Sequence, residues 1–284
     1  RNRRNPLRPL PMKLRSSRVL RLLRENRFAA TMKLNLTDPR VAEMAGIAGF
    51  DALWLCQEHV PGDWTTLEHT IRAARLHDMD TLVRVAKGSY SDYIRPLEAG
   101  ATGLIVPHIE SAAEARKIVE WTRFHPMGKR ALDGGNTDGA YCVVPVEDYI
   151  HNSNTEKVIV FQIESPEALE QVEAIAAVPG FDGFLFGPGD FSHRIGQAGN
   201  LTHEAVAAAR QRVGRAARVH GKFMMTSGLY VPFEQLVAEG HTVFNLGSDV
   251  GGLNTWFQQR LELLAGQVKA LPTGAAPKSQ SPYA

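Results

Sequence analysis

The sequence predicts a TIM (β/α)8 barrel, and three observations carry that prediction. Eight apolar, β-rich runs recur at 28–35, 51–56, 81–85, 103–107, 158–164, 181–186, 222–226 and 243–247, and eight is the barrel number. Amphipathic stretches such as Asp38–Ala45, Leu67–Arg75 and Ala112–Glu120, with apolar residues at helical spacing, lie between most of them. Residues 28 to about 270 also match the ~250 residues of a single barrel. A doubly wound open sheet shows the same alternation, but often with a phosphate-binding Gly-rich turn after its first strand, and none follows 28–35 here.

Taken in order, the runs end in polar residues. The first ends at Lys33-Leu34-Asn35, the second is followed by Cys56-Gln57-Glu58-His59, and the third closes on Arg84. After the fourth, the interval 108–157 is long enough for an inserted active-site loop. The fifth ends at Gln162-Ile163-Glu164, and the sixth runs into Gly187-Pro188-Gly189-Asp190-Phe191-Ser192. The seventh and eighth complete the count. Since barrels display chemistry on the loops at the C-terminal ends of their strands, a base, a cation and two carboxylates are expected on one rim.

Singly, each has an ordinary explanation: a strand-end Arg is often a salt-bridge partner, and a lone carboxylate is often a helix cap. Four such groups on one face are harder to explain structurally, because each would need its own buried partner. Two carboxylates with no Cys or His ligand nearby make an oxygen-rich site that suits Mg2+ or Mn2+ better than zinc. A 2-oxo acid chelated there would have the charge that develops on methyl deprotonation stabilised, with Arg84 sharing it. The Gly187–Asp190 turn would add backbone N–H donors for a carboxylate, or it is a plain strand-to-helix turn. His59 would handle protons on an aldehyde or alkoxide.

Charge is distributed unevenly. Residues 1–27 hold ten Lys or Arg and one acid, Glu25, which leaves 22 basic and 29 acidic residues, a net of −7, in the rest. The basic leader reads as a transit peptide, a nucleic-acid arm or, with Met12 as an internal start, a mis-set start or fragment boundary; it is expected to be poorly ordered. The acidic remainder argues against nucleic acid as a partner. Residues 28–271 form the barrel domain, and 272–284, rich in Pro, Ser, Ala and Gly, are expected to be a disordered tail. Two cysteines, Cys56 and Cys142, without metal-binding or redox spacing, no bilayer-length apolar run and no secretory segment point to a reducing, cytoplasmic setting with no membrane partner.

From about residue 28 to 255 these residues resemble the HpcH/HpaI family of metal-dependent pyruvate aldolases, which includes 4-hydroxy-2-oxoheptanedioate and 2-dehydro-3-deoxyglucarate aldolases. The specific pieces are Glu58-His59 followed by Pro61, Val83-Arg84-Val85, Leu97–Ala101, Gln162-Ile163-Glu164 and Gly187–Ser192, in the family order. The resemblance implies a class II aldolase. It would be a homohexamer built as a trimer of dimers, with Mg2+, Mn2+ or Co2+ held by Glu164 and Asp190. It would cleave a 4-hydroxy-2-oxo acid reversibly to pyruvate and an aldehyde. It further implies that Arg84 stabilises the enolate and Gln162 helps position the ligand. Backbone N–H groups near Gly189 and Asp190, in the turn that includes Gly187 and Ser192, would bind the substrate carboxylate. His59 would assist proton transfer, with Glu98 as its acidic partner. Glu98 precedes the fourth strand, on the opposite end of its own barrel and about 16 Å from His59 for a five-residue strand, so a neighbouring subunit is expected to supply it.

The chain departs from the family in four places. Glu98 stands where characterised aldolases have Asp. Cys56-Gln57-Glu58-His59 replaces Asp-Gly-Glu-His, putting a thiol that is mostly neutral at pH 7 beside the histidine. Lys33-Leu34-Asn35 stands where an aromatic residue is usual, and residues 130–142 diverge. Those last two regions are expected to line the acceptor side of the pocket, where Lys33 pairs with a carboxylated or phosphorylated acceptor or else salt-bridges on the rim. Two other readings remain. A CoA-thioester carbon–carbon lyase of the citrate lyase β or malyl-CoA lyase type is opposed by Glu58-His59, and a catalytically silent barrel with a binding role has Cys56 as its best support.

Overall fold

The computed structural model describes residues 14–270. The expectations for residues 1–13 and for the tail fall outside these residues, apart from the leader's last stretch. Eight parallel strands close a barrel in sequence order: β1 (Ala29–Leu34), β2 (Ala52–Cys56), β3 (Asp80–Arg84), β4 (Gly103–Val106), β5 (Val158–Ile163), β6 (Gly183–Phe186), β7 (Phe223–Met225) and β8 (His241–Ser248). All eight lie where the apolar runs predict them. Twelve α-helices accompany them among the described residues: α1 (Arg18–Arg24), α2 (Pro39–Ala48), α3 (Trp64–Leu76), α4 (Tyr90–Glu98), α5 (Ala112–Thr122), α6 (Val146–Glu156), α7 (Pro166–Glu170), α8 (Val172–Ala176), α9 (Pro188–Arg194), α10 (Glu204–Val219), α11 (Phe233–Ala238) and α12 (Asp249–Lys269). None is long and apolar enough to cross a membrane.

Strand periodicity of two divides the core into two shells. Leu53, Leu55, Val83, Leu104, Ile159, Phe161, Phe184 and Phe186 face outward and pack with Ala42, Ile71, Leu97, Ile118 and Val213 of the surrounding helices. Ala29, Ala52, Trp54, Leu82, Ile105, Val158, Val160, Leu185, Met225 and Val243 fill the interior. Continuing the inward register toward the C-terminal rim reaches Lys33 on β1, Cys56 on β2, Arg84 on β3, and Gln162 then Glu164 on and beyond β5. The same alternation that fills the barrel therefore lifts the polar groups onto one face.

The leader's last stretch is not a poorly ordered extension. Helix α1 closes the N-terminal mouth of the barrel, placing Val19 and Leu22 in the interior shell. Asp80, fully buried at the start of β3, accepts from Ser17 Oγ at 2.6 Å and from the backbone N–H of Val19 at 2.9 Å. Arg15, Arg18 and Arg24 pair with Asp80, Asp51 and Glu156 at 2.7–2.9 Å. The basic composition thus answers a ring of acids around that mouth, where an open apolar end needs a cover.

Residues 130–142 do not reach the rim of their own barrel. Asp138 is buried beside Lys157, which immediately precedes β5, so this segment is anchored toward the N-terminal end and outer wall of its own barrel, away from the C-terminal rim. The cause is electrostatic: Asp138 is the counter-charge of both Lys157 and Arg130, at 2.5 and 2.9 Å.

Candidate active site

Glu164 and Gln162 stand on the barrel axis side of β5, both almost fully buried. The backbone N–H of His108, just beyond β4, donates to Glu164 Oε1 at 2.8 Å, and the Gln162 amide Nε2 donates to Glu164 Oε2. Gly187 lies against this pair. A Cβ there would sit 2.8 Å from Glu164 Cβ and 3.2 Å from Gln162 Nε2, so the position requires glycine for space, since its φ of −96° is open to any residue. Burial pushes the Glu164 carboxyl above its usual range, and the negative charge of Asp190 adds to the effect, partly offset by His108 and Gln162.

Asp190 lies exposed in the first turn of α9, next to an equally exposed Gly189 with open space around it. Ser192 is fully buried. Its hydroxyl donates to the Gly189 carbonyl at 2.7 Å and accepts from Gly199 N–H at 3.2 Å. It therefore braces the turn.

Across the rim, Arg84 is buried at the end of β3 with its guanidinium 5.0 Å from the centre of the Trp54 ring. Its Nη2 donates to Cys56 Sγ at 3.1 Å, and its Nε forms a 3.0 Å ion pair with Glu58 Oε2 that is too bent to count as a hydrogen bond. Glu58 also lies 3.5 Å from Nε2 of His59 and 3.0 Å from Nε2 of His108. The His108 ring turns its other nitrogen, Nδ1, to within 3.0 Å of Glu164 Oε1. His108 has φ of 53°, in the left-handed region uncommon for a side-chain-bearing residue. That conformation aims both its N–H and its ring into the site.

Of the sequence-predicted residues, Arg84, Gln162, Glu164, Gly187, Gly189 and Asp190 share this face, with His59 above it, its side chain 59% exposed. Glu98 does not: it ends α4 ahead of β4, at the other end of the barrel, where burial raises its carboxyl pKa against the opposing pull of Arg130. Sequence reasoning missed the bridging roles of Glu58 and His108. Glu58 was visible as a neighbour of His59, and His108 as a histidine immediately beyond a barrel strand.

Among the described residues no group of three or more His, Cys, Asp or Glu side chains is arranged to hold a metal ion. The donor set suited to a cation is the carboxylate pair Glu164 and Asp190, whose mutual repulsion a divalent ion would relieve, with Gln162 Oε1 buried and without a protein hydrogen-bond partner beside it. A hard, oxygen-preferring ion fits such donors and would keep coordination positions for water and substrate.

Residues 30–254 match the profile of the HpcH/HpaI aldolase/citrate lyase family. A 5-keto-4-deoxy-D-glucarate aldolase of Klebsiella pneumoniae is 36% identical over 220 residues, covering 76% of this chain and 84% of that protein. The solved structure of an HpcH/HpaI aldolase/citrate lyase family protein from Burkholderia cenocepacia superposes with a TM-score of 0.81 at 28% identity, over 88% of this chain and all of that one. A citrate lyase β subunit from M. tuberculosis, at 17% identity and a TM-score of 0.51 over 78% of this chain and 91% of that one, shares the fold alone. The strand-end chemistry, the closed barrel and these likenesses agree: the chain belongs to the HpcH/HpaI aldolase/citrate lyase family and is a carbon–carbon lyase of the aldolase type.

Proposed function

We propose that the enzyme cleaves a 4-hydroxy-2-oxo acid reversibly to pyruvate, or a close 2-oxo acid, and an aldehyde, with Mg2+, Mn2+ or Co2+ held by Glu164 and Asp190. The observation that carries this reading is the buried Glu164 carboxylate, raised in pKa and sharing its field with Asp190, opposite an arginine that Glu58 holds in place. When bound, the divalent ion supplies charge stabilisation to the 2-oxo acid as negative charge develops on it.

The chain's own residues supply the rest. Arg84 presents its guanidinium to the developing enolate oxygen, where a preorganised donor in a water-poor site is most effective. Gln162 holds Glu164 in one orientation and helps position the ligand. Gly187 keeps the floor of the site free of a side chain, and the backbone N–H groups near Gly189 and Asp190 take the substrate carboxylate. In the cleavage direction His59 accepts the proton of the 4-hydroxyl as the C3–C4 bond breaks and its electron pair passes into the enolate. The enolate then takes up a proton at C3 from solvent to give pyruvate, and in condensation His59 returns its proton to the new 4-oxygen.

This reading includes a homo-oligomer, a hexamer built as a trimer of dimers, in which a neighbouring subunit brings Glu98 to His59. Support comes from α12, whose only buried residue is Asp249 while Trp256, Phe257, Leu261 and Leu264 are all at least half exposed. Sedimentation at micromolar concentration should give a hexamer, and a monomer would remove the neighbour's Glu98 from the site. The free thiols Cys56 and Cys142 suit a cytoplasmic setting.

Proton–deuterium exchange at the methyl group of pyruvate tests the chemistry without any choice of aldehyde. In D2O the protein should exchange these protons with Mg2+ but not after chelation, and Glu164→Ala should lose the activity. No exchange with Mg2+, Mn2+ or Co2+ would remove the proposed reaction.

A further inference from the structure

Lys33 is a rim cation that the aldolase reading leaves without work, and unlike Lys87 beyond β3, which pairs with Glu114, it has no acidic partner within ion-pair distance among the described residues. It continues the inward register of Ala29 and Thr31 on β1, half-buried, with Nζ 5.4 Å from the centre of the Trp54 ring. The other cation on that ring is Arg84. The expected rim salt bridge is not found: among the described residues Lys33 makes neither an ion pair within 4.0 Å nor a side-chain hydrogen bond.

The acids in its field are committed elsewhere. Glu58 faces Arg84, His59 and His108. Asp249, at the start of α12, accepts from the backbone N–H groups of Asn35 and Leu36 at 2.9 and 2.8 Å and so pins the end of β1. Burial, followed by the positive charge of Arg84, pushes the Lys33 pKa down. A half-buried ammonium beside a guanidinium with no counter-ion is an electrostatic cost that an incoming anion would remove.

Position gives that anion its place on the substrate. In an eight-stranded barrel β1 lies across from β5, so Lys33 stands opposite the Glu164 side, with Arg84 of β3 between them in strand order. A 2-oxo acid anchored at Glu164, Asp190 and Arg84 would extend its far end toward β1. We propose that Lys33, on the Trp54 face, is the subsite for an anionic group, carboxylate or phosphate, carried by the acceptor aldehyde, and that it selects charged acceptors over neutral ones. This rests on the aldolase reading above.

The test is condensation with pyruvate by the full chain loaded with Mg2+, offering butanal as neutral acceptor, succinic semialdehyde as carboxylated acceptor and glycolaldehyde phosphate as phosphorylated acceptor. Wild-type protein should favour at least one charged acceptor in kcat/KM, and the two charged arms separate carboxylate from phosphate. Lys33→Met should lower kcat/KM for that acceptor at least about tenfold, mainly through KM, the size of losing one charged hydrogen bond. Lys33→Arg should restore most of the preference. An unchanged preference in Lys33→Met, no preference in the wild type, or borohydride trapping of pyruvate on Lys33 would each overturn the assignment. Pyruvate methyl exchange is run on the same wild-type sample. Exchange without acceptor preference overturns the Lys33 subsite alone, whereas absence of exchange overturns the aldolase reading and the subsite with it.

Discussion

Nε2 of His108 lies 3.0 Å from Oε1 of Glu58, joining the residue just beyond β4 to the loop that follows β2. Because Glu58 also faces Arg84, and His108 also faces Glu164, four residues form a continuous path from the buried Arg84 guanidinium to the buried Glu164 carboxylate. Neither end of that path is free to rotate without disturbing the other. The geometry of the donor half of the site is therefore set by residues that need not touch substrate, as supporting groups do around many metal centres.

The first consequence concerns His108. Replacement by Gly removes the ring while keeping a backbone that adopts positive φ without strain, so the N–H to Glu164 survives. Loss of an orienting group of this kind typically weakens metal binding by 10–100-fold, and Mn2+ affinity followed by electron paramagnetic resonance should fall by about tenfold. Unchanged Mn2+ affinity would mean that Glu164 is held by its backbone and Gln162 contacts alone.

Arg84→Lys should lower the rate of pyruvate methyl exchange by about 10²-fold or more, comparable with losing a preorganised donor to a developing oxyanion. An ammonium cannot face Glu58 and Cys56 while also offering a planar fork to substrate. Near-normal exchange would take Arg84 out of the reaction.

Glu164→Gln separates chemistry from folding. Because burial raises the folded-state pKa of Glu164, the stability it contributes is fully present below its unfolded value, about 4.3, and is lost as pH rises through the folded value. In metal-free protein at neutral pH, a neutral isostere should therefore leave the melting temperature unchanged or higher, while metal-dependent exchange disappears. A markedly lower melting temperature would make Glu164 a structural group.

These residues also show how far the sequence could be read. The strands were legible as apolar, β-rich runs with polar ends, so Arg84, Gln162 and Glu164 could be placed on one rim by their position at strand ends. His108 was not, because its place depends on a left-handed backbone conformation that no periodicity records. The packing of residues 14–27 was not legible, since composition described their arginines without revealing Asp51, Asp80 and Glu156 opposite them. The motif likewise did not reveal that the Ser192 hydroxyl braces the turn it belongs to. For residues 130–142 a divergent loop was visible, but its anchor, a buried acid between two cations, was not.

That anchor yields the last prediction. Burial alone would push the Asp138 carboxyl up, but Lys157 and Arg130 outweigh it and hold the pKa below the usual carboxylate range. Burial acts on Lys157 in the opposite sense, pushing its ammonium pKa down. The 2.5 and 2.9 Å contacts, with both cations sharing one acid, place the ionised form at Asp138. Asp138→Asn would leave Lys157 and Arg130 buried with no carboxylate between them, at a cost of about 3–5 kcal/mol. A depressed carboxylate contributes stability above its unfolded pKa, about 3.9, and loses that contribution as pH falls through the folded value. The gap between wild type and variant in urea unfolding should therefore be full at pH 7 and shrink below about pH 4, where the wild-type acid protonates as well. A gap that is the same at both pH values would mean that Asp138 anchors the loop by shape and hydrogen bonding, with its charge contributing nothing.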